Sequence, residues 1–199
     1  MTLLLALVVL AQPADAGAGN RMVLPRAADH RPTVELRGGF DARPAPASEG
    51  PASPFICGEF TPLRRVGLEG CGNGAGVLQN RDLSDFAHFR VRVTALQRTL
   101  GQWNVDVIPG VGWAEVQRGQ DAAGFRFGEA EPGQVEAAGA EASMSVKGMV
   151  EVAGKLHGTI DLNAGAAIIP GAPEVLREGA QPGAGPLLPY LAVTAGLGF

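Results

Sequence analysis

The chain has 199 residues, of which 18% are charged, with 20 acidic against 16 basic side chains, a net charge of -4 and 29 glycines. That length suits one domain, and scattered Pro and Gly, the latter at about twice the usual share of ~7%, would break the helices of a bundle. No basic face is left for nucleic acid, because phosphate binding needs clustered Lys and Arg.

At the start, "MTLLLALVVLAQPADA" carries an apolar run from Leu3 to Ala11 and then Ala14-Asp15-Ala16, a small-x-small cleavage pattern. Residues 1–16 therefore read as a secretory signal peptide, too short to span a bilayer. No Lys or Arg precedes the run, so a start further upstream, a weak signal, or a buried N-terminal helix or strand stay open as alternatives. No later stretch reaches the ~18 consecutive apolar residues of a transmembrane helix.

From Val34 onward the chain alternates strand-like runs of period two with breaker-rich runs. In "VELRGGF", Val34, Leu36 and Phe40 share one face, and Glu35, Arg37 and Asp41 the other. Next comes a hairpin centred on Arg64, which sets Cys57 directly across from Cys71, close enough for a disulfide. The same register puts Glu59, Thr61, Glu69 and both cysteines on one face, with Ile56, Phe60, Pro62, Val66 and Leu68 on the other. Pro62 is expected at the turn. Export permits the disulfide, which reads as a structural clamp; one cysteine pair with no nearby His does not read as a metal site, and no cofactor is expected.

Four further strands follow. "FRVRVTA" opposes Phe89, Val91, Val93 and Ala95 to Arg90, Arg92 and Thr94; "WNVDV" opposes Trp103, Val105 and Val107 to Asn104 and Asp106. "AEASMSVK" sets Ala140, Ala142, Met144 and Val146 against Glu141, Ser143, Ser145 and Lys147. "LHGTIDLNAGAAI" sets Leu156, Ile160, Leu162 and Ile168 against His157, Thr159, Asp161 and Asn163. The terminal "LLPYLAVTAGLGF" alternates Leu191, Val193, Ala195, Leu197 and Phe199 with Tyr190, Ala192, Thr194, Gly196 and Gly198. Eight strands result. Tight connections fall near Leu63 to Arg65, Gln97 to Gly101 and Ala153 to Gly154, alternating with long ones rich in Gly and Pro, so an up-and-down antiparallel barrel gathers its long connections at one end.

Eight amphipathic strands, long and short connections segregated to opposite ends, and a terminal Phe resemble the small outer-membrane β-barrels of Gram-negative bacteria. The resemblance implies an all-β, eight-stranded transmembrane barrel over 34–199, an N-terminal periplasmic segment over 17–33, and a location in the cell outer membrane. It implies outer-membrane lipid as the surroundings, and a final strand, through Phe199, Leu197, Ala195 and Val193, that is read by the barrel-assembly machinery. At Leu197 the family often has a second aromatic, so the fit is looser there.

Alternation alone does not say which face is outside, and a soluble lipocalin-like barrel would turn the apolar face inward. The small, uncharged second face of the last strand suits a crowded interior. Glu35, Glu59, Glu69, Asp106, Glu141 and Asp161 against Arg37, Arg90, Arg92 and Lys147 then form an interior cluster of mixed sign, which must be paired. Trp103 and Phe199 are expected near the tight-turn end, and Phe40, Phe89 and Trp113 toward the loop end. An eight-stranded interior is filled by its own side chains, so no open pore is expected.

Some barrels of the family act on lipid acyl chains, and His88 or His157 with Ser143 or Ser145 are the candidates here. Nothing like a Gly-x-Ser-x-Gly element surrounds them, and they read as interior packing residues in a protein that is not an enzyme. Phe125 and Phe127 are expected to close a small core over the barrel mouth, and the long loops could meet an extracellular partner. The expected role is structural, envelope-stabilising or surface-recognising.

Overall fold

The computed structural model describes residues 31–44, 52–73, 84–118, 126–130, 132–177 and 185–199. The expected signal peptide and positions 17–30 lie outside the described residues.

Period-two alternation becomes nine strand segments: β1 (Val34–Ala42), β2 (Ser53–Leu63), β3 (Val66–Gly72), β4 (Ser84–Val93), β5 (Leu96–Leu100), β6 (Trp103–Arg118), β7 (Glu136–Ala153), β8 (Leu156–Ile168) and β9 (Leu187–Gly198). A single turn of helix, α1 (Ala172–Val175), precedes β9. All pairings between these strands are antiparallel, and β1 pairs with β9 to close the sheet. Both β4 and β5 pair with β6. The register passes from Arg92 opposite Gly110 to Leu96 opposite Val107, four residues against three, so a β-bulge at Thr94 and Ala95 divides one barrel strand into two segments. The result is an eight-stranded up-and-down barrel.

Its stagger follows from the register. Val34 faces Phe60, then Leu68, Val91, Val111, Ala142, Ala166 and Pro189 in turn around the sheet. Because Leu191 faces Ala42, Pro189 lies level with Pro44, so the circuit from position 34 ends ten residues further along β1. A stagger of that size tilts eight strands by about 40° and leaves an interior only wide enough for side chains.

The hairpin of β2 and β3 has Cys57 opposite Cys71 and Glu59 opposite Glu69. Pro62 differs from expectation: it sits inside β2, at a register shift between Phe60 and Leu63, where a missing N–H interrupts no regular ladder. Gln97 to Leu100, expected in a turn, is strand β5; the turn itself is Gly101-Gln102, and Gly154-Lys155 joins β7 to β8. Gly101 and Gly154 have φ of 60° and 59°, which tight hairpin turns require.

Strands β6 and β7 run well beyond their alternating cores. Near the loop end Ala114, Glu115 and Val116 are all buried, as are Glu136, Ala137, Ala138 and Gly139. There α1 contacts both strands, and the segment 126–130 hydrogen bonds along β7 through Ala138 N–H to the Arg126 carbonyl at 2.7 Å. With both faces covered, period two disappears from the sequence.

The apolar core sits at the loop end. Phe55, Phe86, Val116, Ile169, Val175, Leu176 and Leu188 form it with the disulfide and the α1 turn. This segment of the β8–β9 connection closes the mouth. Phe127, expected to do so, is 63% exposed, because its backbone lies along β7 and carries the ring outward; Phe125 is outside the described residues.

Candidate functional site

Alternating strands of a barrel send every second side chain inward, so the interior composition is set by one parity per strand. All of Glu35, Arg37, Glu59, Glu69, Arg90, Arg92, Asp106, Glu141, Lys147 and Asp161 are buried. Placed singly, such charges would cost several kcal/mol each. Here each one has opposite charge within reach.

At the centre, Arg37 from β1 and Arg92 from β4 lie between the same three carboxylates. Arg37 donates to Glu59 at 3.0 Å and also to Glu69 and Asp161; Arg92 donates to Glu59 at 2.9 Å, to Asp161 at 2.6 Å, and to Glu69. Lys147 of β7 bridges Glu35 at 3.0 Å and Glu59 at 2.5 Å. Six strands, β1 to β4 with β7 and β8, are thereby tied across the lumen rather than around the wall.

Toward the loop end, Arg90 carries the network upward. It donates to Glu69 at 2.6 Å, Glu141 at 3.0 Å, Ser143 at 3.0 Å, Asn163 at 3.2 Å and the Tyr190 hydroxyl at 2.8 Å, and that hydroxyl donates to Glu141. Gly165 makes room for the phenol, since a Cβ there would stand 2.4 Å from Tyr190 Oη. His88 has its Nδ1 3.2 Å from Glu141 Oε1 and is boxed by the rings of Phe55, Phe86 and Tyr190, at centroid distances of 5.2, 5.7 and 5.4 Å.

At the tight-turn end, Arg31 reaches into the lumen from outside the strands, to Asp106 at 2.5 Å and Thr94 at 2.6 Å. A cavity of about 10 Å³, lined among others by Arg31, Glu35, Glu59, Thr94, Asp106 and Lys147, has space for roughly one water there. At the opposite end Arg43 meets Asp41 at 2.5 Å, and the Asn73 amide donates to Asp41 and to the Pro54 carbonyl while its oxygen accepts from Phe86 N–H. Arg31, Arg43 and Asn73 were missed because none lies on a strand with a readable alternation. Asp41 was legible by parity, without an indication of its partner.

The other candidate groups have structural partners. Ser143 accepts from Arg90, Ser145 from Asn163, and His157 Nδ1 lies 3.0 Å from the Lys155 carbonyl. Cys57, Cys71 and His88 bring three potential ligand atoms within 4.8 Å of one another, but the sulfurs are joined in a disulfide across 4.1 Å between Cα atoms, which removes them from a ligand set.

Outside, the polarity is reversed. Among the described residues, twenty-seven large apolar side chains are exposed, including Leu36, Phe40, Ile56, Leu68, Val111, Met144, Ile160, Leu162, Leu191, Val193 and Leu197. Phe89 and Trp113 face each other between β4 and β6 and stack at 6.1 Å. Trp103 opens β6 beside the Gly101-Gln102 turn, and Phe199 ends the chain at that same end. Among the described strand residues, the outward positions between Arg98 at the tight-turn end and Asp85, Glu115 and Glu136 at the loop end contain no ionisable side chain. Chemically, the arrangement is an ionic lattice inside an apolar sleeve. Comparisons with protein-family models, with curated proteins and with solved structures found no match for this chain.

Proposed function

We propose that the chain is an integral outer-membrane β-barrel with a structural, envelope-stabilising or surface-recognition role, without an open pore and without catalysis. One observation carries the reading: an uninterrupted apolar belt surrounds an interior of paired charges. Ordinary soluble proteins rarely expose contiguous apolar patches beyond a few hundred Å², and a lipocalin-like barrel keeps its apolar face inside. From Leu187 to Leu197 on β9, ten residue steps at about 3.3 Å and a tilt of about 40° rise about 25 Å, the height of the apolar band on membrane barrels. The arginines that bridge carboxylates across the lumen and the α1 closure support a filled lumen. The occupied hydroxyls of Ser143 and Ser145 weigh against the alternative of a lipid-modifying enzyme.

The test is heat-modifiable migration in detergent gels together with partition into the outer-membrane fraction. A folded band that shifts on boiling and sediments with outer membrane is expected. A protein that stays soluble without detergent would end the proposal.

A further inference from the structure

The tight-turn end of the barrel is basic. Its short turns contribute Arg64, Arg65 and Lys155 and no acid. Arg98, the outward charge at the tight-turn end of the belt, adds to the basic end. Arg31 is engaged by Asp106, and the nearby acids are Glu151 and the Phe199 carboxylate.

These cations adjoin apolar side chains. Leu63 precedes Arg64, Leu96 and Leu100 flank Arg98, and all three leucines are exposed. The Thr94 N–H bonds the Arg65 carbonyl at 2.8 Å, so the Arg64-Arg65 turn is fixed against the bulge that leads to Arg98. An exposed leucine beside a guanidinium matches the boundary between acyl chain and phosphate, where Arg and Lys stems lie along hydrocarbon and their heads meet the phosphates. An acidic protein surface would need the cations but not the adjoining leucines.

We infer that the tight-turn end is a rim that binds the headgroups of anionic phospholipid in the leaflet it faces, through Arg64, Arg65, Arg98 and Lys155. The inference rests on the membrane reading above. It predicts a preference for phosphatidylglycerol over phosphatidylcholine that is local to one end of the molecule.

The full chain, reconstituted in nanodiscs of phosphatidylcholine containing a minority of phosphatidylglycerol, is released into detergent and its retained lipids are counted by native mass spectrometry. Phosphatidylglycerol should be enriched over its bulk share. Lys155→Gln should lower that enrichment by up to about five-fold, and the quadruple change Arg64→Gln, Arg65→Gln, Arg98→Gln, Lys155→Gln should abolish it. Arg177→Gln at the loop end should leave it intact. Insertion with no enrichment, or enrichment that survives the quadruple change, would overturn the rim while leaving the membrane reading standing. Failure to enter that bilayer would overturn both.

Discussion

Glu59 and Glu69 stand directly opposite each other between β2 and β3, one inward rung below the Cys57–Cys71 bond. Like charges opposed across a sheet are destabilising unless something else neutralises them. Here both carboxylates receive Arg37 and Arg92, which arrive from β1 and β4 on either side of the hairpin. The hairpin is thus electrostatically incomplete by itself, and closing the sheet around it supplies the missing cations.

Removing Arg92 should therefore expose the repulsion. Arg92→Met leaves Glu59, Glu69 and Asp161 sharing fewer cations, at an expected cost of about 3–5 kcal/mol. Urea unfolding of the folded protein, followed by Trp103 and Trp113 fluorescence, reads it. Adding Glu69→Gln to the same variant should recover part of the loss. An unchanged midpoint for Arg92→Met would mean that the lattice does not hold the barrel.

The disulfide keeps those two carboxylates on one rung. It closes a separation of 14 residues, for which loop entropy alone predicts about 3 kcal/mol. Cys57→Ser with Cys71→Ser should lower the unfolding free energy by about that amount and leave the folded far-UV spectrum unchanged. A double variant as stable as the native protein would assign the register to the side-chain lattice alone.

Much of this architecture is legible before any coordinates. A fixed hairpin register puts Cys57 beside Cys71 and turns Glu59 and Glu69 to the same side, and parity separates Arg90 and Arg92 from Phe89 and Val91. What escapes is whatever alternation does not govern. Thr94 and Ala95 break the register by one residue, so Gln97 to Leu100 passes for a turn. Ala137 and Ala138 are buried on both faces and carry no period. Arg31, Arg43 and Asn73 act from outside regular strand pairing, where no repeat announces them. The closing segment near Ala172 consists of small and apolar residues that the chain also uses in its loops, so position alone reveals it.

Tyr190 links the ionic lattice to the apolar core above it. Tyr190→Phe keeps the ring against Phe86 and His88 but removes the hydroxyl shared by Arg90 and Glu141, for an expected loss of about 1–3 kcal/mol. Gly165→Ala should cost more, because its methyl would meet the Ala142 carbonyl at 2.8 Å as well as the phenol. Thermal shift of the folded protein ranks the two. Equal stability of Gly165→Ala and native protein would mean that the tyrosine is not packed as described.

The apolar belt makes a depth-dependent prediction. Val193 lies midway along the outward face of β9, between Phe40 and Leu162, whereas Leu100 adjoins the Gly101-Gln102 turn. In lipid, Val193→Lys should cost about 2–4 kcal/mol and Leu100→Lys about 0–1 kcal/mol. In water, both exchanges would be near neutral or favourable, since each replaces an exposed apolar group by a solvated one. Folding titrations into lipid vesicles distinguish the two profiles, and equal effects at the two positions would count against a bilayer around the belt.

Phe199 has two separable parts. Its backbone closes the seam: the carbonyl accepts from Thr33 N–H at 2.7 Å and Val34 N–H at 3.1 Å, and its own N–H donates to the Val34 carbonyl at 3.0 Å. Its ring is 67% exposed and adds little to internal packing. Deleting the residue removes both, so impaired insertion with intact export would be ambiguous by itself. Phe199→Ala keeps the seam and removes only the ring. If the ring is the signal read during assembly, this variant should refold in vitro with native stability yet accumulate unfolded in the cell, visible as loss of the heat-modifiable band. Normal assembly of Phe199→Ala alongside failure of the deletion would assign the role of this position to sheet closure instead.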